Sequence, residues 1–462
     1  MEKFNAFIKN SFNKIRASLP ANNNEKVNSF RQVAIENFLK KGLLLGKLEN
    51  RDNFPIEKEI SDDYEFQLQP TPYQPLDSIF KCKIKGIASN TFAFFNGWYL
   101  HSGNPITIFP NGMIIGSLIA AIECYPDLVF SRLGKHRLAG NNSLNALNEA
   151  FFTDGIFIYI PDNVVVEHPM QVVNLISSDQ KLLVNNHNLI MVGKNSNFSL
   201  VYCNDSIHSE NSFANNVTEI YIEENTIVNF CKMENKDAKS IMLEHVVVEQ
   251  KSHSQFLSNA ITFNAGYVRN QFHVTLAEPF AEARVNGLYL VDKKQVVDNH
   301  VFVNHAAPDC TSHQLYKGIL DDEAIANFNG HILVSQDAQK TAAFQTNRNI
   351  TLTDEAKITT KPFLEIYADD VQCSHGATVG QLNDTEMFYL RSRGICERNA
   401  RMLLMYAFAV EVTSFIDIIN LRSRLNEMIQ RRLKGELSLC DQCFLNCSDR
   451  KNFSFEIDVS LL

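Results

Sequence analysis

Three groupings in this chain of 462 residues combine side chains that do chemistry. The tightest is Cys373-Ser374-His375. In an extended segment, residues two apart project to the same side, so this spacing sets a thiol beside an imidazole. Such a pair can bind iron or zinc, or act as a nucleophile with its base. The acidic pair Asp369-Asp370 precedes it. The second grouping is Asp298, His300, His305, Asp309, Cys310 and His313, a donor set that a metal accepts. On a strand, however, Asp298 and His300 share a face while His305 lies beyond a corner. Hydrogen bonding at a sheet edge or interface is therefore the stronger reading. The third is Cys440, Cys443 and Cys447, a thiol cluster near the C-terminus without an evident fourth ligand, which reads as exposed thiols on a tail.

The elements that must position these residues change character along the chain. Residues 1–150 read as mainly helical, with Phe4, Ile8, Phe12, Ile15 and Leu19 at three- and four-residue spacing, then Val27, Phe30, Val33, Ala34, Phe38 and Leu39. Pro20 and Asn22-Asn23-Asn24 separate the two helices. A polar, proline-bearing connector runs from Arg51 to about Ser78, and a strand-like stretch follows around Phe80 to Gly86. Helical spacing returns over 113–150.

From 151 to 376 the texture is strand and turn. Short apolar segments such as Ile156–Ile160, Val172–Ile176, Leu182–Val184 and Leu189–Val192 recur every seven to ten residues. Two-residue hairpin signals are scarce, with only Asn286-Gly287 and Asn329-Gly330. A parallel β-solenoid, which turns corners rather than reversing, is preferred to a hairpin-built sandwich. Three short strands per coil would give coils of about 22 to 28 residues and roughly eight to ten coils at this spacing. Exposed sheet edges invite aggregation, so the flanking helical segments are expected to cap the two ends.

Residues 377–435 return to helix. Asn383 with Glu386 is a capping-box pattern and Gly394 closes that helix. A second helix is expected from about Cys396 to Lys434. Its broad apolar surface is expected to pack on the preceding helix, with a partner protein as the alternative. Residues 436–462 form the cysteine-bearing tail.

Composition bounds the function. The 43 basic and 52 acidic residues give a net charge of -9, a poor match for a phosphate backbone. No apolar run reaches the length needed to span a bilayer, and no signal-peptide core opens the chain. Ten cysteines are too few for a disulfide scaffold of this length, so the expectation is a cytoplasmic protein with reduced thiols. Asparagine is about one residue in ten and glycine only 19. Either codon usage favours asparagine, or the fold uses it where corners need a left-handed residue. P-loop, nucleophile-elbow and zincin motifs are absent. Carboxylate clusters for a polysaccharide-acting solenoid enzyme are limited to Asp321-Asp322-Glu323 and Asp369-Asp370.

The stretch Asp298–Ile395 resembles the SufD family of iron–sulfur cluster assembly proteins. The resemblance rests on Gln314-Leu315-Tyr316-Lys317-Gly318, Asp337 through Thr341, Lys361-Pro362 through Asp370, Cys373 through Gly380, and Phe388 through Gly394. It is dense over about 100 residues and extends from about 113 to 434. It implies a mainly β fold, with a right-handed parallel β-helix core between N- and C-terminal helical domains. It also implies a subunit that is not itself an enzyme and has no intrinsic cofactor. Such a subunit pairs with a SufB-like scaffold, docks a SufC-like ABC-type ATPase through residues 377–435, and can form a homodimer when alone. Cys373 and His375 inherit a role at the shared interface, contacting transient iron or a nascent cluster. Gly42–Asn50 departs from the family's tryptophan-containing pattern, and the only tryptophan is Trp98. The SufB-like paralogue and the polysaccharide enzyme are the competing readings.

Overall fold

The computed structural model describes residues 2–42, 63–71, 90–135, 143–209 and 212–434. The stretch around Phe80 to Gly86, Gly42–Asn50 beyond its first residue, and the tail thiols Cys440, Cys443 and Cys447 lie outside these.

From Ile156 onward, successive strands alternate between two sheets and pair with one another in parallel; every antiparallel pair among the described residues includes an earlier strand. One has 11 strands and ends at Lys357–Ile366; the other has 10 and ends at Val371–Gly380. Their alternation winds a parallel β-solenoid of about seven turns. Each coil contains two long strands rather than three short ones, and one repeat spans 26 residues at Ile241↔Tyr267 and 32 at Ile325↔Lys357. The three strands per coil and eight to ten coils expected are corrected to two strands and about seven turns, because one strand, Leu182–Val192, reads as two apolar segments interrupted by Asn185-Asn186-His187-Asn188. All four interrupting residues are buried.

The corner leading from the larger to the smaller sheet turns through one left-handed residue in each coil but the last. Asn163, Asn195, Asn225, His253, Phe280, Asp309 and Lys340 occupy this column, with φ from 54° to 63°. Asn195 Nδ2 donates to Asn163 Oδ1 at 3.0 Å, and Asn225 Nδ2 to Asn195 Oδ1 at 3.2 Å. Asparagine thus does serve corners here, its short side chain making the left-handed conformation affordable.

The helices lie along the flanks. Helices α1 (Glu2–Ile15), α2 (Glu25–Lys41), α3 (Leu118–Cys124), α4 (Pro126–Arg132) and α5 (Ser143–Phe151) precede the main run of coils. Phe4, Ile8, Phe12, Leu147 and Phe151 share a core with Phe213, Ile241 and Leu243 of the larger sheet. At the C-terminus, α6 (Asp384–Ser392), α7 (Glu397–Thr413) and α8 (Ile419–Leu433) follow the last coil. The expected single helix from Cys396 to Lys434 is therefore two helices, broken at Ser414–Ile418. Their apolar residues Met405, Ala409, Val412, Leu421, Leu425 and Met428 pack mainly against Val201, Cys231, Ile261, Leu288 and Ile319 on the outer face of the smaller sheet. Arg432 fixes α8 there, its Nε donating to Phe263 O at 3.0 Å and its Nη1 lying 2.7 Å from Asp292. These helices cover a flank and do not cap the end. The expected C-terminal cap is corrected accordingly, because sheet-face residues provide the larger apolar surface to bury.

Candidate functional site

The solenoid's C-terminal end is its open mouth. Lys357–Ile366 and Val371–Gly380 each have a neighbour on one side only. Phe363 is 55% exposed and Val379 49%, unlike their counterparts in earlier coils. Each terminal strand therefore offers a row of main-chain donors and acceptors to another strand.

Cys373 lies on this edge. It packs with Ile332, Val334, Ala343 and Leu364, interior residues of the preceding coils. Its side chain therefore faces the solenoid axis, and strand alternation sets His375, Ala377 and Val379 on that same side. In register beneath them lie Ala343, Gln345, Asn347 and Asn349. Cys373 is half-buried while His375 is exposed. Burial pushes the Cys373 thiol above its ordinary value, partly offset by the Ala343 backbone N–H. The thiol is thus held protonated in the free chain, and a metal or a neighbouring cation would be needed to draw off its proton. Asp369 and Asp370 occupy the exposed corner just before this strand.

The second sequence grouping is not a site. Its residues are carried to separate faces. Asp298 and His300 face outward on the larger sheet, with His300 Nε2 2.8 Å from Asp298 Oδ1 and Arg269 Nη1 3.6 Å from Oδ2. Burial raises the Asp298 carboxyl, but His300 and Arg269 together outweigh it and hold the group below the usual range. His305 points inward, pairs with Ser312 Oγ at 2.8 Å, and is pushed down to about 3 by burial. Asp309 is a corner residue, Cys310 is in the apolar core, and His313 stacks on Phe344 at 5.1 Å. Ion pairing, the His305–Ser312 hydrogen bond and packing engage most of these residues. Among the described residues no group of three or more metal-ligating side chains comes together. Asp321-Asp322-Glu323 is likewise a corner, with Asp322 at φ 49°.

Sequence reasoning missed what fills the solenoid. Lys232 Nζ lies 2.6 Å from Glu234 Oε1, off the hydrogen-bonding direction, and 3.8 Å from Glu244 Oε2. It also donates to Asn270 Oδ1 at 2.6 Å. Thr262 and Asn270 donate to Glu234, and Asn204 and Asn216 to Glu244. Toward the mouth, Tyr289 hydrogen-bonds Asn349, Asn349 Nδ2 donates to Asn347 Oδ1 at 2.7 Å, and Gln345 Nε2 donates to Gln314 Oε1 at 2.7 Å. Polar residues at alternate strand positions were the available signal. They read instead as strand ends.

Helix α6 is the other exposed element. It buries no residue, and Phe388 is 73% exposed. Asn383 caps it by accepting from the backbone N–H groups of Thr385 and Glu386, and Gly394 closes it at φ 87°. Asp384, Met387, Phe388, Arg391 and Ser392 line a shallow groove along it.

A two-sheet parallel β-solenoid with helices on its flanks and a free mouth defines the structural class. The comparisons define the family. The model of the SUF system FeS cluster assembly SufBD core domain matches residues 174–408, and that of the SufBD protein N-terminal region matches 2–172. An iron–sulfur cluster assembly SufBD family protein of Synechocystis is 31% identical over 350 residues, 73% of this chain and 77% of its own length. The iron–sulfur cluster assembly protein SufD of Escherichia coli is 41% identical over 184 residues, 40% of this chain and 42% of that protein. SufD of Bacillus subtilis is 26% identical over 334 residues, 70% and 74%. The chain belongs to the SufBD family of iron–sulfur cluster assembly proteins, and within it is of the SufD type. The unusual Gly42–Asn50 stretch does not remove the N-terminal region from the family. No helix among the described residues is long and apolar enough to cross a membrane.

Proposed function

We propose that this chain is a non-catalytic subunit of a cytoplasmic SufBCD-type assembly complex. It pairs with a SufB-like scaffold through its open mouth and docks a SufC-like ATPase through its C-terminal helices. The observation that carries this reading is the uncapped mouth, where Cys373 and the exposed His375 stand on a free sheet edge. Strand addition supplies main-chain hydrogen bonds along such an edge. One thiol and one imidazole are too few to hold an iron–sulfur cluster, whose sites use four protein ligands, so a partner must complete the set. Iron or a nascent cluster is then cargo shared across the interface. A homodimer through the same edge is expected when the scaffold is absent. The exposed, fully solvated face of α6 supports ATPase docking at the C-terminal helices.

The test is co-expression with SufB- and SufC-like proteins from one host, followed by mass determination by light scattering. The expected species contains one copy of this chain, one SufB-like subunit and two ATPases. In the same system, C373A/H375A is expected to leave assembly intact and impair cluster maturation. A chain that elutes alone would overturn the partnership; undiminished maturation with the double variant would overturn the site.

A further inference from the structure

The floor beneath the mouth contains a polar arrangement that the solenoid fold itself does not need. Gln345 is fully buried, and its Nε2 is engaged by Gln314. Its Oε1 has no partner, and neither do Gln314 Nε2 and the nearby Thr360 Oγ1. A buried carbonyl without a donor destabilises the fold, so Gln345 Oε1 marks a place where a donor is to be supplied. The arrangement is also given room. The Gln345 amide reaches across to the facing sheet at Gly330, where a Cβ would fall 2.1 Å from Nε2 and 2.7 Å from Oε1. A side chain at 330 would displace it.

The next rung above Gln345, in register, is His375, roughly 4.8 Å along the stack as neighbouring strands are spaced. Of the four residues on the interior side of this last strand, Cys373, His375, Ala377 and Val379, only His375 carries a ring N–H. A histidine that serves as a ligand works through one nitrogen while the other donates to a fixed acceptor, which sets tautomer and ring orientation. We propose that Gln345 is the positioning residue of the mouth, its carbonyl oxygen accepting one ring N–H of His375 and leaving the other nitrogen as the lone pair offered beside the Cys373 thiol. Gln314 holds the amide from below and Gly330 leaves it space. This inference rests on the reading of Cys373 and His375 as the working pair.

The experiment uses the full chain with ¹⁵N-labelled histidine, reading the His375 tautomer from its ring nitrogen shifts and assigning the signal by its loss in H375N. Wild type is compared with Q345L, which removes the acceptor, and G330A, which keeps the amide but occupies its space. Thermal melts confirm that each variant folds. The expected result is one dominant His375 tautomer in wild type and at least a threefold change in tautomer ratio in both variants, with the buried His187 and His305 unmoved. An unchanged His375 ratio in folded Q345L overturns the proposal. Because this readout needs neither partner nor cluster, it separates the two claims. A tautomer shift together with normal maturation in C373A/H375A sustains the positioning and sinks the site, while the reverse pattern sinks the positioning alone.

Discussion

The middle coils and the last coil are built on the same two strands, yet they treat polar residues in opposite ways. In the middle, Lys232, Glu234 and Glu244 are enclosed and answer one another, with Asn204, Asn216, Thr262 and Asn270 supplying further hydrogen bonds. At the mouth, Gln345 Oε1 and Thr360 Oγ1 are unpaired, and the edge strands have no neighbour on their outer side. A buried charge is tolerated only when paired, so the charges of the middle are answered by one another within the chain, although Glu234 Oε1 and Asn216 Oδ1 take no hydrogen bond. The mouth is incomplete, and incompleteness on a free edge is what a partner can use. The same solenoid thus has a closed middle that holds the fold and an open end with a free sheet edge, where the proposed function is placed.

The sharpest way to break this contrast is to remove one charge from the closed half. K232M removes from Glu234 and Glu244 the cation closest to them inside the solenoid, leaving Lys236 as the remaining one that acts on both. Breaking a buried pair by deleting one partner costs about 3–5 kcal/mol, so a denaturant midpoint far below wild type is expected. C373A, at the mouth, removes a half-buried thiol from a site with few neighbours, and is expected to cost about 1 kcal/mol or less. Equal losses in the two variants would erase the distinction between a structural middle and a working end.

A second test uses pH. Burial pushes Glu244 up to about 7, with Lys232 opposing the shift, and pushes Lys236 down to about 8. Between roughly pH 4.5 and 7 the folded chain retains a proton on Glu244 that the unfolded chain has released, so stability falls as pH rises through that window. Between roughly 8 and 10.5 the unfolded chain binds the Lys236 proton that the folded chain has lost, so stability rises with pH there. The melting temperature is expected to pass through a minimum near pH 7 to 8. Asp154, pushed up to about 6 by burial, adds to the acid limb. E244Q is therefore expected to flatten the slope between pH 6 and 7 and to reduce it between about 4.5 and 6, where Asp154 still contributes. A melting profile identical to wild type would place the titration elsewhere.

Much of this was legible in the sequence, and the failures have a common cause. The N-terminal helices show in the spacing of Phe4, Ile8, Phe12, Leu19, Val27, Ala34 and Phe38, all buried. Val33 and Leu39 fit the same spacing and are exposed, because that face has no sheet to meet. The parallel solenoid followed from strand texture without hairpin turns. Its coil length did not, because residues such as Asn186 and Asn216 stand inside the lumen where a periodicity reading expects apolar side chains. Their hydrogen bonds satisfy them there, a fact that belongs to the third dimension. Cys373 and His375, two residues apart on one strand, could be paired from spacing alone, whereas their role was read from the family resemblance. Gln345 and Gln314 approach them only through the stacking of coils.

The smallest expected effect concerns the corners, which the closed and open halves share. Asn195 sits at φ 54° and both donates and accepts in an exposed amide ladder with Asn163 and Asn225. Two causes of its presence can be separated. Asn195→Gly keeps the left-handed backbone and deletes the ladder, while Asn195→Ala deletes the ladder and adds the Cβ penalty. If the backbone conformation is what asparagine supplies, Ala is expected to cost about 1 kcal/mol by chemical denaturation and Gly only a few tenths. If the two cost the same, the ladder of amides between coils, and not the corner, is what asparagine stabilises. The high asparagine content would then be a property of stacking, extending to the exposed corners the amide contacts that already line the interior.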